Sequence, residues 1–517
     1  MIGIIARKSL LIVFNNLVGG VLGFISLLFI SWYLGAEKLG ILAFGLSFFG
    51  IFSFISNLGF DSAHTKRVSE GRDLTKCLSA YILIKLLLIA LMTIVSLIAL
   101  FIYDSVLHKF SSDIEKKVCF IFLGYYILWA LTQIAVTTFN ALRKQAMAQL
   151  PNIFEHVVRT LLIVAVTITG VEFGTIYIAV AYVAGMGTML ILSFYFLQIL
   201  EIPLKRPDSI LLKSYGQFAL PMAVITVIGA VANYLDKVMI DFFRDSEEVG
   251  LFFGVQRIIQ FLTMSSMALG ILLFPTISSY HKKGRTKDIN TLLLKSERYL
   301  SFIIFPVVTT LVVFCFPIVR LLGEDFRNAG WLLVFLSLFG FMSTMCRPFN
   351  QLLTATGRLK RAVQISAAVL FLNITLNFLL IPDTDYVPDV IFGLTLVSGA
   401  AGAALATFFS ESLRFILVRV EARRIAGYRM DKRFMATNLL ASVTTGTMLY
   451  FVHYSVSLLA PWYFLLLKFL LGFGFYLMLM VVLKGFTKRD YLFFIDLLHP
   501  GKMKDYISDE LKRERKE

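Results

Sequence analysis

The sequence predicts an all-α integral membrane protein of about fourteen transmembrane helices: two pseudo-symmetric six-helix lobes plus two C-terminal helices. Three observations carry this reading. Hydrophobic residues make up 58% of the 517 positions, charged residues only 16%, and the mean hydropathy is +0.80. A soluble fold of this length cannot hide so much apolar surface, because about half of its residues would face water. Apolar runs of about twenty residues, the length that crosses a bilayer core, recur along the whole chain. Lys and Arg concentrate in every second loop between those runs, on the side of the N-terminus.

The first run, about residues 10–33, is too long for a signal-peptide core and shows no clear small-residue cleavage site, so it is expected to stay as the first helix. Further helices are expected near 40–60, 79–103, 118–140, 153–170, 175–200, 215–240 and 250–278. The remaining six lie near 299–319, 330–350, 362–381, 391–418, 435–456 and 462–484. The seventh and eighth are interrupted by polar residues. Residues 490–498 then read as an interfacial helix, followed by a charged tail. The corresponding organisation is an N-lobe at 1–205, a C-lobe at 206–420, helices thirteen and fourteen at 421–484, and a cytoplasmic tail at 485–517.

A net charge of +16 would suggest nucleic acid in a soluble protein, but its distribution argues otherwise. Segments on the side of the N-terminus hold about 36 Lys and Arg, and the opposite loops about seven. Clusters such as Lys282, Lys283, Arg285 and Lys287 fall on the rich side. Both termini are therefore expected in the cytoplasm and no nucleic-acid partner is expected. The four cysteines lie far apart without a CxxC pair or neighbouring histidines, which argues against a metal site or a disulfide.

A weak internal repeat supports the two lobes. Glu37-Lys38-Leu39-Gly40 recurs as Glu247-Glu248-Val249-Gly250, and Asn140-Ala141-Leu142-Arg143 as Ala355-Thr356-Gly357-Arg358. The copies are separated by an even number of spans, so the repeats run parallel and are expected to enclose a central cavity.

Several segments together resemble the bacterial and archaeal polysaccharide flippases. They are Phe218-Ala219-Leu220-Pro221, Asn233-Tyr234-Leu235-Asp236-Lys237, Leu353-Thr354-Ala355-Thr356-Gly357-Arg358, and Trp32-Tyr33-Leu34-Gly35 in the first helix pair. The similarity covers nearly the whole chain and is to the O-antigen and capsule flippases of the multidrug/oligosaccharidyl-lipid/polysaccharide exporter superfamily. It implies a cavity that opens alternately to each side. The implied cargo is a polyprenyl-(pyro)phosphate-linked oligosaccharide, moved from the cytoplasmic to the outer leaflet. Membrane lipids, a polysaccharide polymerase and glycosyltransferases are the implied partners. No cofactor is expected. An H+ or Na+ gradient or the membrane potential is the expected energy source, since no P-loop is present. Enzymatic signatures such as HExxH or Gly-x-Ser-x-Gly are absent too. Rival members of the superfamily are drug/cation antiporters, which often carry an acid in the N-lobe helices, and lipid II flippases, which tend to carry arginines in the first two helices. Helix one lacks such an acid, and those arginines are missing.

A charge at the bilayer centre costs roughly 2.5–3.5 kcal/mol on insertion scales, so each one calls for an account. Arg257, with Gln256 and Gln260 beside it, offers a phosphate fork with amide donors. The alternatives are an interfacial arginine or a pair with Asp236. Asp236 and Lys237 read equally as a gate or sugar ligands and as an ion network. Arg347 faces either cavity or interface, and Asn16, with Asn15, either cavity or a helix contact. Glu155 and Arg159, four residues apart, read as a structural ion pair. Lys85 is expected to snorkel, and Lys468 lies outside the repeat.

Overall fold

The computed structural model describes residues 2–110, 112–203, 205–206, 208–382, 398–455 and 463–485. The expected interfacial helix at 490–498, the start of the twelfth helix at 391–397 and the charged tail lie outside them. Among the described residues the regular structure is entirely helical.

The chain opens with α1 (Ile2–Phe52), two helices joined without a loop at Gly35, whose φ of 77° is left-handed. At about 1.5 Å per residue, the Phe14–Ser56 stretch is long enough for two crossings. A 3₁₀ turn at Ser53–Ser56 and Gly59 (φ 82°) lead into α2 (Phe60–Ser69). The N-terminal group continues with α3 (Leu74–Phe101), α4 (Asp113–Ala141), α5 (Gln145–Thr169) and α6 (Gly174–Ile199). Then come α7 (Ser209–Phe243), α8 (Ser246–Lys282), α9 (Thr286–Val313), the short α10 (Cys315–Val319), α11 (Gly330–Ala355), α12 (Leu359–Leu380) and α13 (Gly399–Ala426). The last two are α14 (Lys432–Ser455) and α15 (Tyr463–Val482). With α1 counted twice and the short α2 and α10 set aside, fourteen helices of membrane-crossing length are described.

Local sequence sets the helix ends. Asp73 caps α3 by accepting from the Thr75 N–H, and Ser112 caps α4 by accepting from the Glu115 N–H. α5 ends on Gly170 in the left-handed conformation. Several helices outrun their apolar stretches. α9 begins at Thr286 rather than near 299, because Lys287, Asp288, Lys295, Glu297 and Arg298 continue the helix where the apolar signal has stopped. α13 runs on to Ala426 for the same reason.

Lipid is the natural solvent for the outside. On α3, Leu83, Leu86, Leu87, Leu91, Ile94 and Ile98 are all exposed, a stripe no soluble helix would present to water.

α4 and α5 pack on α6, and α1 on α5, while α11 packs on α8 and α13, and α12 on α13. α1 and α8 cross where the two copies of the repeat meet. A Cβ on Gly40 would lie 1.5 Å from the Ser246 carbonyl oxygen, and one on Gly250 would lie 1.8 Å from that of Ala36. Each contact is the other displaced by 210 residues, so Ala36-x-x-x-Gly40 and Ser246-x-x-x-Gly250 pack reciprocally. The second repeated link shifts by one residue from its expected alignment. Arg143 and Gly357 take the same left-handed place after α4 and α11, and the bonds Lys144 N–H to Phe139 O and Arg358 N–H to Leu353 O correspond. Asn140 thus matches Thr354.

The α1–α8 crossing closes the end of the molecule opposite the N-terminus. Asp325 there accepts from the Ala36 N–H at 3.0 Å, and Trp32 Nε1 donates to Leu321 O at 2.8 Å. Tyr103 OH donates to Asp241 at 2.6 Å and Lys109 to Phe242 O at 2.9 Å.

Candidate functional site

Beneath that closed end lie two adjoining chambers of about 270 and 500 Å³. Arg159, Tyr182, Phe253, Arg257 and Gln260 line both and so form their junction. The smaller chamber adds Asn15, Asn16, Gly19, Gly20 and His156, and the larger adds Tyr125, Tyr126, Tyr234, Lys237, Gln256 and Arg347. Four cations therefore face the cavity, and no carboxylate lines either chamber among the described residues.

Arg257 sits on α8, where its guanidinium donates to Gln260 Oε1 at 2.8 Å and lies 4.8 Å from the Phe253 ring centre. No carboxylate pairs with it among the described residues. The pairing with Asp236 that the sequence allowed is not formed. Gln256 instead accepts from Lys237 Nζ at 3.1 Å, and the same ammonium donates to Asn233 O at 2.9 Å. Ser47, the repeat counterpart of Arg257, lines the larger chamber as well.

Asp236 points away from the cavity, although it neighbours Lys237. Its carboxylate accepts from Asn377 Nδ2 at 2.7 Å and from Thr407 Oγ1 at 3.1 Å, so it joins α7 to α12 and α13. Successive helical residues point about 100° apart, which sends Lys237 inward and Asp236 outward. Asp236 is thus not a lining residue, contrary to the grouping made from sequence.

Glu155 and Arg159 do pair, at 2.7 Å, but the arginine also lines both chambers, so the pair is not purely internal bracing. Glu155 is only 2% exposed and stands behind the cavity wall. His156 Nδ1 is 2.8 Å from Glu155 Oε2, and the Arg159 guanidinium lies 5.0 Å from the Tyr182 ring centre. One carboxylate thus positions two cavity-lining side chains.

Asn15 and Asn16 both line the smaller chamber, and Asn15 Nδ2 also donates to Gln149 Oε1 at 2.7 Å. Arg347 faces the larger chamber and makes no hydrogen bond or ion pair among the described residues. Two further charges are structural. Lys85 does not snorkel: it is fully buried, 2.7 Å from Asp61 and donating to Ser56 O at 2.9 Å. Lys468 bonds His453 at 3.1 Å, away from the cavity.

Sequence reasoning missed the tyrosines. Tyr125, Tyr126, Tyr182 and Tyr234 share the cavity wall, and nothing in a 14% aromatic chain sets them apart. The one legible hint is that Tyr182 and Arg159 come from neighbouring helices.

Comparison with known proteins gives this cavity a context. Residues 5–281 match the family described as "Polysaccharide biosynthesis protein", which is more than half of the chain. The chain belongs to that family. It is 23% identical over 417 residues to the "Probable low-salt glycan biosynthesis flippase Agl15" of Haloferax volcanii, covering 80% of this chain and 82% of that protein. In fold it is similar to the lipid II flippase MurJ in an inward closed conformation. The TM-score is 0.70 at 17% identity, over 91% of this chain and 97% of that one. An inward-facing multidrug resistance MATE transporter of the MOP superfamily matches with a TM-score of 0.65 at 14% identity, over 79% and 95%. The family member therefore has the all-helical fold of MurJ and MATE transporters and is a multi-pass membrane protein.

Proposed function

We propose that the protein flips a polyprenyl-(pyro)phosphate-linked oligosaccharide from the cytoplasmic to the outer leaflet of the cell membrane, for cell-surface glycan assembly. It acts as a transporter without catalysis of its own. The observation that carries this reading is Arg257, a guanidinium without a carboxylate partner among the described residues. It stands with Arg159 at the junction of two chambers that the lipid and the glycan would share. Arginine forks match phosphate oxygens, and a phosphate supplies the counter-charge that Arg257 lacks among the described residues. The tyrosines and the amides of Asn233 and Gln256 offer stacking faces and hydrogen bonds suited to sugar rings. A cationic cargo, as in drug/cation antiport, would meet four positive charges and, among the described residues, no lining acid.

The two lobes, 1–205 and 206–420, would rock about the α1–α8 crossing to expose the cavity to either side. Both termini are cytoplasmic in this scheme, and polymerase and glycosyltransferases act before and after the step. Asp236, buried within the span and held by neutral donors, is the natural seat for a coupling H+ or Na+.

The test is translocation of a fluorescent lipid-linked oligosaccharide in proteoliposomes. Arg257→Ala should reduce the rate by about tenfold to a hundredfold, the loss of one charged hydrogen bond of about 1.5–3 kcal/mol. Arg257→Lys should recover part of it, since lysine keeps the charge without the planar fork. Wild-type rates from well-folded Arg257→Ala protein would remove this site.

A further inference from the structure

Four cations line the cavity, and of these Arg159 already has Glu155 as its counter-ion. Arg159 and Arg257 stand at the junction, but Lys237 and Arg347 line the larger chamber alone. Lys237 is only 4% exposed, and its ammonium spends two of its three donors on neutral acceptors, Asn233 O and Gln256 Oε1. The adjacent Asp236 carboxylate is turned to the other face of α7 by Asn377 and Thr407. Arg347, on α11, keeps its guanidinium free of hydrogen bonds and ion pairs among the described residues. The two cations come from α7 and α11, helices different from the one that bears Arg257. Asp236 and Glu411 act on Lys237 and Arg347 electrostatically, but neither acid lines the chamber, where burying a cation is costly unless an anion completes the site. The larger chamber also carries Tyr125, Tyr126, Tyr234 and Asn233, so it is the glycan half of the cavity, and the anion it awaits belongs to a sugar.

We propose that the cargo glycan is acidic: Lys237 and Arg347 receive a sugar-borne carboxylate, as on a hexuronate, in the larger chamber, while Arg159 and Arg257 hold the lipid phosphate. The assignment rests on the flippase reading and adds the chemical class of the glycan. It also implies that a glycosyltransferase using an activated acidic sugar acts before this step.

The experiment compares two polyprenyl-diphosphate trisaccharides that differ only at one C6, glucuronate against glucose, in the proteoliposome assay. The wild-type protein should translocate the acidic one about tenfold faster or more at subsaturating concentration, as expected for one charged hydrogen bond. It should also be thermally stabilised more by the acidic glycolipid in detergent. In Lys237→Gln and Arg347→Gln the acidic-to-neutral ratio should fall towards one, and Lys237→Arg should keep it above one. The ratio is read within each variant, so a lower protein yield does not obscure it, and the wild-type comparison needs no variant at all. Equal rates for the two lipids, or a preference that survives both Gln variants, overturn the acidic-glycan assignment and leave the flippase reading standing. Translocation of neither lipid overturns both.

Discussion

At the scale of single residues, the site is a matter of which charges have partners. Glu155 is the acid in direct contact with the cavity wall among the described residues, and it acts from behind. Its two oxygens hold Arg159 at 2.7 Å and His156 at 2.8 Å. Glu155→Gln should leave Arg159 without its counter-ion. Breaking a buried pair costs about 3–5 kcal/mol, and the open cavity beside Arg159 puts the expected loss at the lower end. Thermal melting in detergent should show the drop. Adding Arg159→Gln should restore most of the melting temperature, because no stranded charge remains, yet transport should stay low. A double variant that both folds and transports like wild type would reduce the pair to bracing. The sequence made the pair legible through its i,i+4 spacing, but the second role of Arg159 was not. Whether a helical residue also faces a cavity depends on helices far away in the chain. The same limit separated Asp236 from Lys237: neighbours in sequence, they serve opposite faces of α7.

At the scale of elements, apolar length located the crossing helices, because a span must be apolar wherever it meets lipid. Their ends were poorly marked by the same signal. α9 gains a whole charged arm before its apolar run, since backbone hydrogen bonding is indifferent to hydropathy. The junction at Gly35 joins two spans into one continuous α1, where the sequence suggested a link. The repeated Glu-x-x-Gly links were visible, but their meaning needed coordinates: they touch each other. Gly40 and Gly250 have no room for a methyl group, each facing a carbonyl oxygen of the opposite helix. Gly40→Ala and Gly250→Ala should therefore force α1 and α8 apart at the closed end. The expected readout is faster reaction of a cavity thiol, Gln256→Cys, with an impermeant reagent applied from that side, together with loss of transport. Unchanged labelling with normal transport in either variant would show that the crossing is not the seal. The two glycines should behave alike, because the contact is reciprocal, whereas a chance packing defect would single out one.

At the scale of the whole molecule, orientation is set by charge. α8, α9 and α13 extend beyond their apolar runs at the end that carries the N-terminus, and they take basic clusters with them, such as Lys282 and Lys283 at the end of α8 and Arg423 and Arg424 at the end of α13. The opposite end is compact and poor in Lys and Arg, as at the turn from Gly170 to Gly174 between α5 and α6. Cytoplasmic loops retain Lys and Arg, so the extended basic end is expected inside and the sealed α1–α8 end outside, an orientation that labelling tests. The four native cysteines are all buried, which gives a quiet background for labelling. In intact cells, a cysteine at Glu172, exposed in the α5–α6 turn, should react with an impermeant thiol reagent. Cysteines at Lys283 and Arg424 should react only after the membrane is permeabilised. The three positions are separated by different numbers of spans, so one mistaken helix would reverse the later two relative to the first. Labelling at Lys283 from outside would refute the orientation, and opposite behaviour of Lys283 and Arg424 would refute the helix count between them. If all three respond as expected, the sealed end faces outwards, and the cavity of this conformer is poised to take its cargo from the cytoplasmic side.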